Sequence, residues 1–314
     1  MKTTIITHNG GFHADDVFAV AVVKMWLRRN GSGGFLKRPV RRGGGKVEVI
    51  RTRNSEIIAK GDFVVDVGDE YNPEKKFFDH HQKGGAGKRS NGIPYSSFGL
   101  VWREYGQDLC GLQGVVDLID KKIVQPIDAV DSGIDLCNLI YPKVQPYFIS
   151  DLIGTYNFVP KKKKGGNLDQ NFLQAVSLAE DVLGREIEMA KVEIEEQKYV
   201  EEMYQKSNDK QIIVLDKDIS DKSWGAVLIQ YPEPLYVIKP DGGSQNWKMK
   251  TVRKETFSFE SRKALPESWA GKRGDGLIQE TGVESAVFCH NKRFIVIAKT
   301  KEGIMELARL AIEN

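Results

Sequence analysis

Apolar and polar positions follow two different periods along this chain, and the switches between them outline its parts. Residues 3–7 form a short β-branched run, residues 17–27 stay apolar over several helical turns, residues 46–50 alternate, and residues 63–67 make a brief apolar run closed by Gly68. A strand, a helix and two further strands in that order predict an α/β domain with a mostly parallel sheet. Between the first helix and the second strand, Gly31, Gly33, Gly34, Pro39, Gly43, Gly44 and Gly45 with Arg38, Arg41 and Arg42 predict a basic loop. Residues 96–105 and 112–124 have helical spacing, and prolines at 126, 142, 146 and 160 punctuate the stretch beyond them.

Four lysines at 161–164, followed by Gly165 and Gly166, make the clearest linker, and a domain boundary is expected there. After it, Phe172, Val176, Ala179, Leu183, Ile187, Ala190 and Ile194 recur at three- and four-residue steps among Glu and Lys, predicting one long amphipathic helix. Residues 212–215, 227–229, 236–238, 248–252, 285–289 and 294–298 read as short strands and residues 304–311 as a closing helix, a smaller α+β domain.

Composition narrows the class. Of 314 residues, 40% are hydrophobic and 28% charged, more apolar than a disordered chain, and no run nears the roughly 18 uninterrupted apolar residues of a membrane span. With 46 Lys+Arg against 43 Asp+Glu, nucleic-acid binding would need clustered rather than abundant basic residues. Cys110, Cys137 and Cys289 are odd in number and widely spaced, which excludes a disulfide framework or a CxxC unit and suits a reducing compartment. No secretory or mitochondrial leader is readable, so a cytoplasmic or nuclear location is expected.

The chemistry lies in the histidines. Of five, His8 and His13 sit with Asp15 and Asp16, and His80 and His81 follow Asp79 directly. The first cluster lies between the first strand and first helix, where open α/β sheets place their sites. An Asp before an apolar helix is also a helix cap, which accounts for one of Asp15 and Asp16 but not for both beside two imidazoles. Asp66 ends an apolar strand and reaches the same rim, although an Asp there also suits a turn. Asp128 and Asp131, in Pro126-Ile127-Asp128-Ala129-Val130-Asp131-Ser132-Gly133, offer a completing oxygen. Imidazole and carboxylate donors without thiolate favour Mn²⁺, Mg²⁺, Zn²⁺ or Fe, and a set this rich can hold two ions bridged by one carboxylate. Two such ions ~3.5–4 Å apart clamp a phosphoryl group and make a water nucleophilic near pH 7.

Asp66 followed by Asp79-His80-His81, with an upstream HxD and a downstream Asp, resembles the Asp-His-His (DHH) phosphoesterase superfamily, which includes single-strand exonucleases, oligoribonucleases and manganese-dependent inorganic pyrophosphatases. More closely, Thr7-His8-Asn9-Gly10-Gly11-Phe12-His13-Ala14-Asp15-Asp16, Val65-Asp66-Val67-Gly68, Phe78-Asp79-His80-His81, Ile127-Asp128-Ala129-Val130-Asp131-Ser132-Gly133-Ile134, Leu265-Pro266-Glu267-Ser268-Trp269-Ala270-Gly271 and Phe288-Cys289-His290 resemble the melanocyte-proliferating-gene (Myg) family over nearly the whole chain. The resemblance implies a DHH-type metal-binding catalytic domain over residues 1–165, a connecting helix over 166–208 and a substrate-binding domain over 209–314.

It further implies His8, His13, Asp15, Asp66, His81 and one of Asp128 and Asp131 as metal ligands. Asp66 would bridge the ions and His80 would face the substrate phosphate. His13 stands where the superfamily has Asp, which leaves the metal and the first-site geometry open. The implied activity is 3′–5′ exonuclease action on RNA by a hydroxide between two divalent ions, Mn²⁺ or Mg²⁺, with single-stranded nucleic acid, RNA favoured, as partner.

His290, beside Lys292 and Arg293, resembles the superfamily's phosphate-gripping motif without its glycine triplet; taken alone, a strand-end His is a structural residue. Lys248, Lys250, Arg253 and Lys254 interleave with Trp247, Phe257 and Phe259, a pattern suited to single strands but equally to solvated lysines opposite inward aromatics, and only Arg253 is singled out. Gly43–Gly45 lack the spacing of a triphosphate loop. Two rivals share these residues: a hydrolase of small phosphates such as pyrophosphate or short nucleotides, and a binding module with a structural metal.

Overall fold

The computed structural model describes residues 2–30, 47–141, 143–159, 167–256 and 258–314. Arg41, Arg42, the glycines at 43–45, the lysines at 161–164 with the expected boundary at 165, and Phe257 lie outside the described residues. The chain forms two compact units, Met1–Lys191 and Val192–Asn314.

The first unit runs β1 (Thr3–Thr7), α1 (Ala14–Asn30), β2 (Val47–Arg51), α2 (Ser55–Ile58), β3 (Phe63–Val65), β4 (Tyr71–Asn72), β5 (Phe77–Phe78), α3 (Ser97–Cys110), α4 (Gln113–Ile119), α5 (Gln125–Asp131), α6 (Ile149–Gly154) and the start of α7 (Leu168–Lys206). Its sheet has the order β2-β1-β3-β5-β4. β1 pairs in parallel with β2 and β3, β3 in parallel with β5, and β4 closes the edge antiparallel. The expected mostly parallel sheet is therefore present, with an antiparallel edge strand that the sequence did not announce. β4 and β5 hold two residues each, too few to show a period.

Every residue of α1 from Ala14 to Val23 is buried. A helix enclosed by α3, α5 and α6 shows an apolar run rather than an apolar stripe. The strand expected over 63–67 stops at Val65 because Asp66 takes a left-handed backbone, φ +56°, and leaves the sheet. The helix expected over 112–124 continues to Asp131 through one wider turn at Asp120–Val124. Gly99 on α3 is required by packing: a Cβ there would stand 2.0 Å from Asp128 Oδ2 and 3.0 Å from Arg89 Nη2. Gly99→Ala is expected to destabilise the fold by about 3 kcal/mol, read as a lowered urea midpoint, because neither member of that buried ion pair can yield without losing the other.

The second unit continues with β6 (Ile212–Val214), α8 (Asp221–Leu228), β7 (Tyr236–Pro240), β8 (Trp247–Thr251), α9 (Asp275–Thr281), β9 (Ala286–Cys289), β10 (Ile295–Ala298) and α10 (Lys301–Glu313). Its sheet has the order β6-β7-β8-β10-β9, with β6 and β7 parallel and the rest antiparallel. Alternate residues serve opposite faces: Ile212, Tyr236 and Ile238 pack with α9 and α10, while Ile213 and Val237 pack with α8 and the end of α7. The strand expected over 227–229 is instead the end of α8. Trp224, Val227 and Leu228 share a buried helical face there, and Ser220 caps the start by accepting from Ser223 N.

α7 carries the expected long amphipathic pattern, with Phe172, Val176, Ala179, Leu183 and Ile187 buried in the first unit and Val200 and Tyr204 in the second. The division between the two compact units falls within this helix, at Lys191 and Val192. No helix of the described residues is long and apolar enough to cross a membrane.

Candidate metal centre

Strand register assembles the site. β1 and β3 pair with Ile6 opposite Val64, so two residues on His8 comes level with Asp66. β3 and β5 pair with Val65 opposite Phe78, so Asp66 comes level with Asp79, followed by His80 and His81. Both histidine clusters therefore meet at the carboxyl ends of parallel strands.

The ligand atoms form three groups: His8 with Asp16 and Asp66, Asp66 with His80 and His81, and His13 with Asp15 and Asp131. Asp66 belongs to two of them. Its Oδ2 lies 3.3 Å from His8 Nε2 and its Oδ1 lies 3.3 Å from His80 Nε2, with Ser97 Oγ donating to Oδ1 at 2.9 Å. His80 Nε2 also stands 3.7 Å from Asp15 Oδ2 and 3.4 Å from Asp131 Oδ2. His13 Nδ1 is 4.0 Å from Asp131 Oδ1, its side chain largely exposed.

Asp15 and Asp16 divide the two roles open to them. Asp16, in the first turn of α1, accepts from His13 N through Oδ1 and so caps the helix, while its Oδ2 faces His8 Nε2 at 3.1 Å. Both oxygens of Asp15 are buried without a hydrogen-bond donor. Asp79 is engaged by the surrounding chain: Oδ1 accepts from His80 N, His81 N and His81 Nδ1, and Oδ2 from Asp69 N.

Crowding of four carboxylates in a buried space controls the protonation. Burial raises the Asp15 pKa well above the carboxylate range, and Asp66, Asp131 and Asp16 push it further. Burial also raises Asp16 and Asp131, against the opposing pull of His8 and His80 respectively. Burial works to raise Asp66 too, but contacts with His8 and His80 prevail and hold it below its ordinary value. The His8 imidazole, which burial would lower, is lifted to about 10 by Asp16 and Asp66. His80 is likewise raised by Asp66 against the effect of burial. Buried carboxylate oxygens without donors are costly, and cations satisfy them. The orphaned oxygens of Asp15, amid imidazole nitrogens and carboxylates with no sulfur, fit hard or borderline divalent ions.

Asp128 stands apart from these groups. It is buried, and its oxygens accept from Ser96 Oγ at 2.5 Å, Gly99 N at 3.0 Å and Arg89 Nη1 at 2.7 Å. Its position one turn before Asp131 on α5 places it against α3, so of this pair it is Asp131 that joins the cluster.

Several contributors carry no sequence signal. Asn157 accepts from Phe12 N at 3.0 Å and donates to Phe12 O at 2.7 Å, pinning the loop before His13 from 145 positions away. Arg51, whose guanidinium lies 5.2 and 4.7 Å from the ring centres of Phe12 and Phe172, donates to Gly10 O at 2.7 Å. Ser97 and Arg89 likewise act only through folding.

In the second unit, His290 and Arg253 line a cavity of about 1090 Å³. Arg293 does not line it: its backbone is left-handed, φ +58°, in the turn between β9 and β10, and Nη1 donates to Leu265 O at 3.5 Å.

A family model named MYG1_exonuc, described as "Uncharacterised protein family (UPF0160)", matches residues 4–312. The chain is 29% identical to the MYG1 exonuclease of Rattus norvegicus over 98% of its own length and 84% of that protein. It is 28% identical to the human MYG1 exonuclease, covering 98% and 85%, and 28% identical to the MYG1 protein of Dictyostelium discoideum, covering 97% and 95%. Matched from its first strand to its last helix, the chain belongs to the MYG1 family.

Proposed function

We propose that this chain is a divalent-metal-dependent phosphodiesterase of the DHH architecture that removes nucleotides from the 3′ end of single-stranded RNA. The sharing of Asp66 between two ligand groups carries this reading, since one carboxylate serving two donor sets is what a pair of neighbouring ions requires. The exonuclease names of the rat and human relatives support the choice of nucleic acid as substrate.

His8, Asp15, Asp16, Asp66, His80 and Asp131 would hold two ions, Mn²⁺ or Mg²⁺, with His13 at the rim. Bound there, such ions neutralise phosphoryl oxygens and make water nucleophilic near neutral pH. In this reading the adjacent histidines take roles opposite to those that the resemblance implies. His80 is 17% exposed and surrounded by three carboxylates, whereas the 57% exposed His81 ring is held at Nδ1 by Asp79, with Asp66 Oδ1 3.6 Å from the same nitrogen, and keeps Nε2 for a substrate phosphate. Asp79 raises the His81 pKa, which favours the charged form that binds a phosphate oxygen.

The test is incubation of 5′-labelled single-stranded RNA and DNA with Mn²⁺, Mg²⁺ or EDTA. A metal-dependent ladder of shortening labelled products, faster on RNA, is expected. Immediate release of labelled mononucleotide would reverse the polarity. An intact polymer alongside turnover of pyrophosphate would replace the nuclease reading with a small-phosphate hydrolase.

A further inference from the structure

The cavity in the second unit has a composition that the metal centre does not explain. Four cations line it, and two are already matched: Lys222 Nζ to Glu193 at 2.6 Å and Lys250 to Asp221. Arg253 and Lys292 have no carboxylate at ion-pair distance among the described residues, so the wall carries uncompensated positive charge. Three further residues of this stretch are committed elsewhere. Lys248 binds Asp241 and Asp218, Lys254 binds Glu260, and Trp247 lies under Lys301.

Two aromatic faces open into the same cavity. Phe259 is 89% exposed, and the guanidinium of Arg253 lies 5.0 Å from its ring centre. Phe294, 37% exposed, lies against His290 with ring centres 4.5 Å apart. Lys292 N donates to His290 Nδ1 at 3.1 Å, which makes Nδ1 the acceptor and leaves Nε2–H as a donor at the cavity edge. Exposed rings call for a flat apolar partner, and the unmatched cations call for an anion. A volume of about 1090 Å³ lies just above the range of single-ligand pockets, about 300–1,000 Å³, and leaves room for more than one nucleotide.

We infer that this cavity is a base-stacking site for single-stranded nucleic acid, in which Phe259 and Phe294 take bases without regard to sequence and Arg253 and Lys292 take the intervening phosphates. The inference rests on the nucleic-acid reading above for its choice of polymer, but it concerns binding and not cleavage. Stacking on aromatic faces is sequence-tolerant because every base presents a π face.

Fluorescence anisotropy of the full chain with a labelled, mixed-sequence single-stranded RNA in EDTA measures binding without turnover. Phe259→Leu and Phe294→Leu keep apolar bulk but remove the ring face, and each is expected to weaken binding about tenfold, similarly for RNAs of different sequence. Phe259 is so exposed that its replacement leaves folding intact, and circular dichroism checks Phe294→Leu. Wild-type affinity in both folded variants overturns the stacking site. If those variants also degrade RNA with an unchanged KM, the nuclease reading stands without it. Binding that depends on the rings, in a protein that never degrades RNA with any metal, retains the site and overturns the nuclease reading instead.

Discussion

Asp66→Asn is expected to lose RNA degradation by about 10³-fold or more while the protein remains folded. The substitution is chosen for the backbone: Asp66 sits at φ +56°, and Asn is among the few side chains that accept this left-handed region as Asp does. Asn also keeps an oxygen for the bond from Ser97 Oγ. The change therefore removes a charge and leaves the turn. Its effects on stability oppose each other. His8 and His80 lose an anionic partner, and Asp15, Asp16 and Asp131 lose a repelling neighbour. The melting temperature in EDTA should accordingly move by only a few degrees. Degradation rates on labelled RNA, measured beside circular dichroism melts, decide the matter; wild-type activity in the variant would sink the shared-carboxylate centre.

Metal addition should produce the second large effect. A ligand that binds only the folded state at about 100 times its Kd stabilises by about 2.7 kcal/mol. For units of this size, each kcal/mol moves the melting temperature by about 2–4 °C, so Mn²⁺ added to chelator-treated protein should raise it by about 5–10 °C. The physical source is the relief of crowded carboxylates, above all Asp15, whose two buried oxygens have no donor. Asp66→Asn should lose most of this rise. An equal rise in wild type and variant would show that the ion binds elsewhere, on exposed acidic groups.

Much of this centre was legible because its chemistry is local. His8 and His13 beside Asp15, and His80 and His81 after Asp79, are contiguous motifs at element ends, and an element end is readable wherever an apolar run stops. The first strand, residues 3–7, was legible for the same reason, being a β-branched run closed by polar residues. Asp16 was harder, since an Asp in the first turn of a helix suits a cap, and the structure shows it both capping α1 and facing His8. Residues 227–229 misled because three apolar residues suit either period; Trp224 and the Ser220 cap tip them to a helix.

Residue identity and short spacing were thus enough to read most of the alternation of elements, the gathering of imidazole and carboxylate side chains without sulfur, and the family. Which neighbours share a space was settled by folding alone. Packing separated Asp131 from Asp128, one turn apart on α5, by giving the latter to Arg89, Ser96 and Gly99. It brought Asn157 across 145 positions to hold Phe12, and it aimed Phe259 and Phe294 into one cavity while committing Lys222, Lys248, Lys250 and Lys254, but not Lys292, to carboxylates. Ion pairs and hydrogen bonds are set by distances of a few ångströms between side chains, and strand register and helix packing, rather than order along the chain, set those distances.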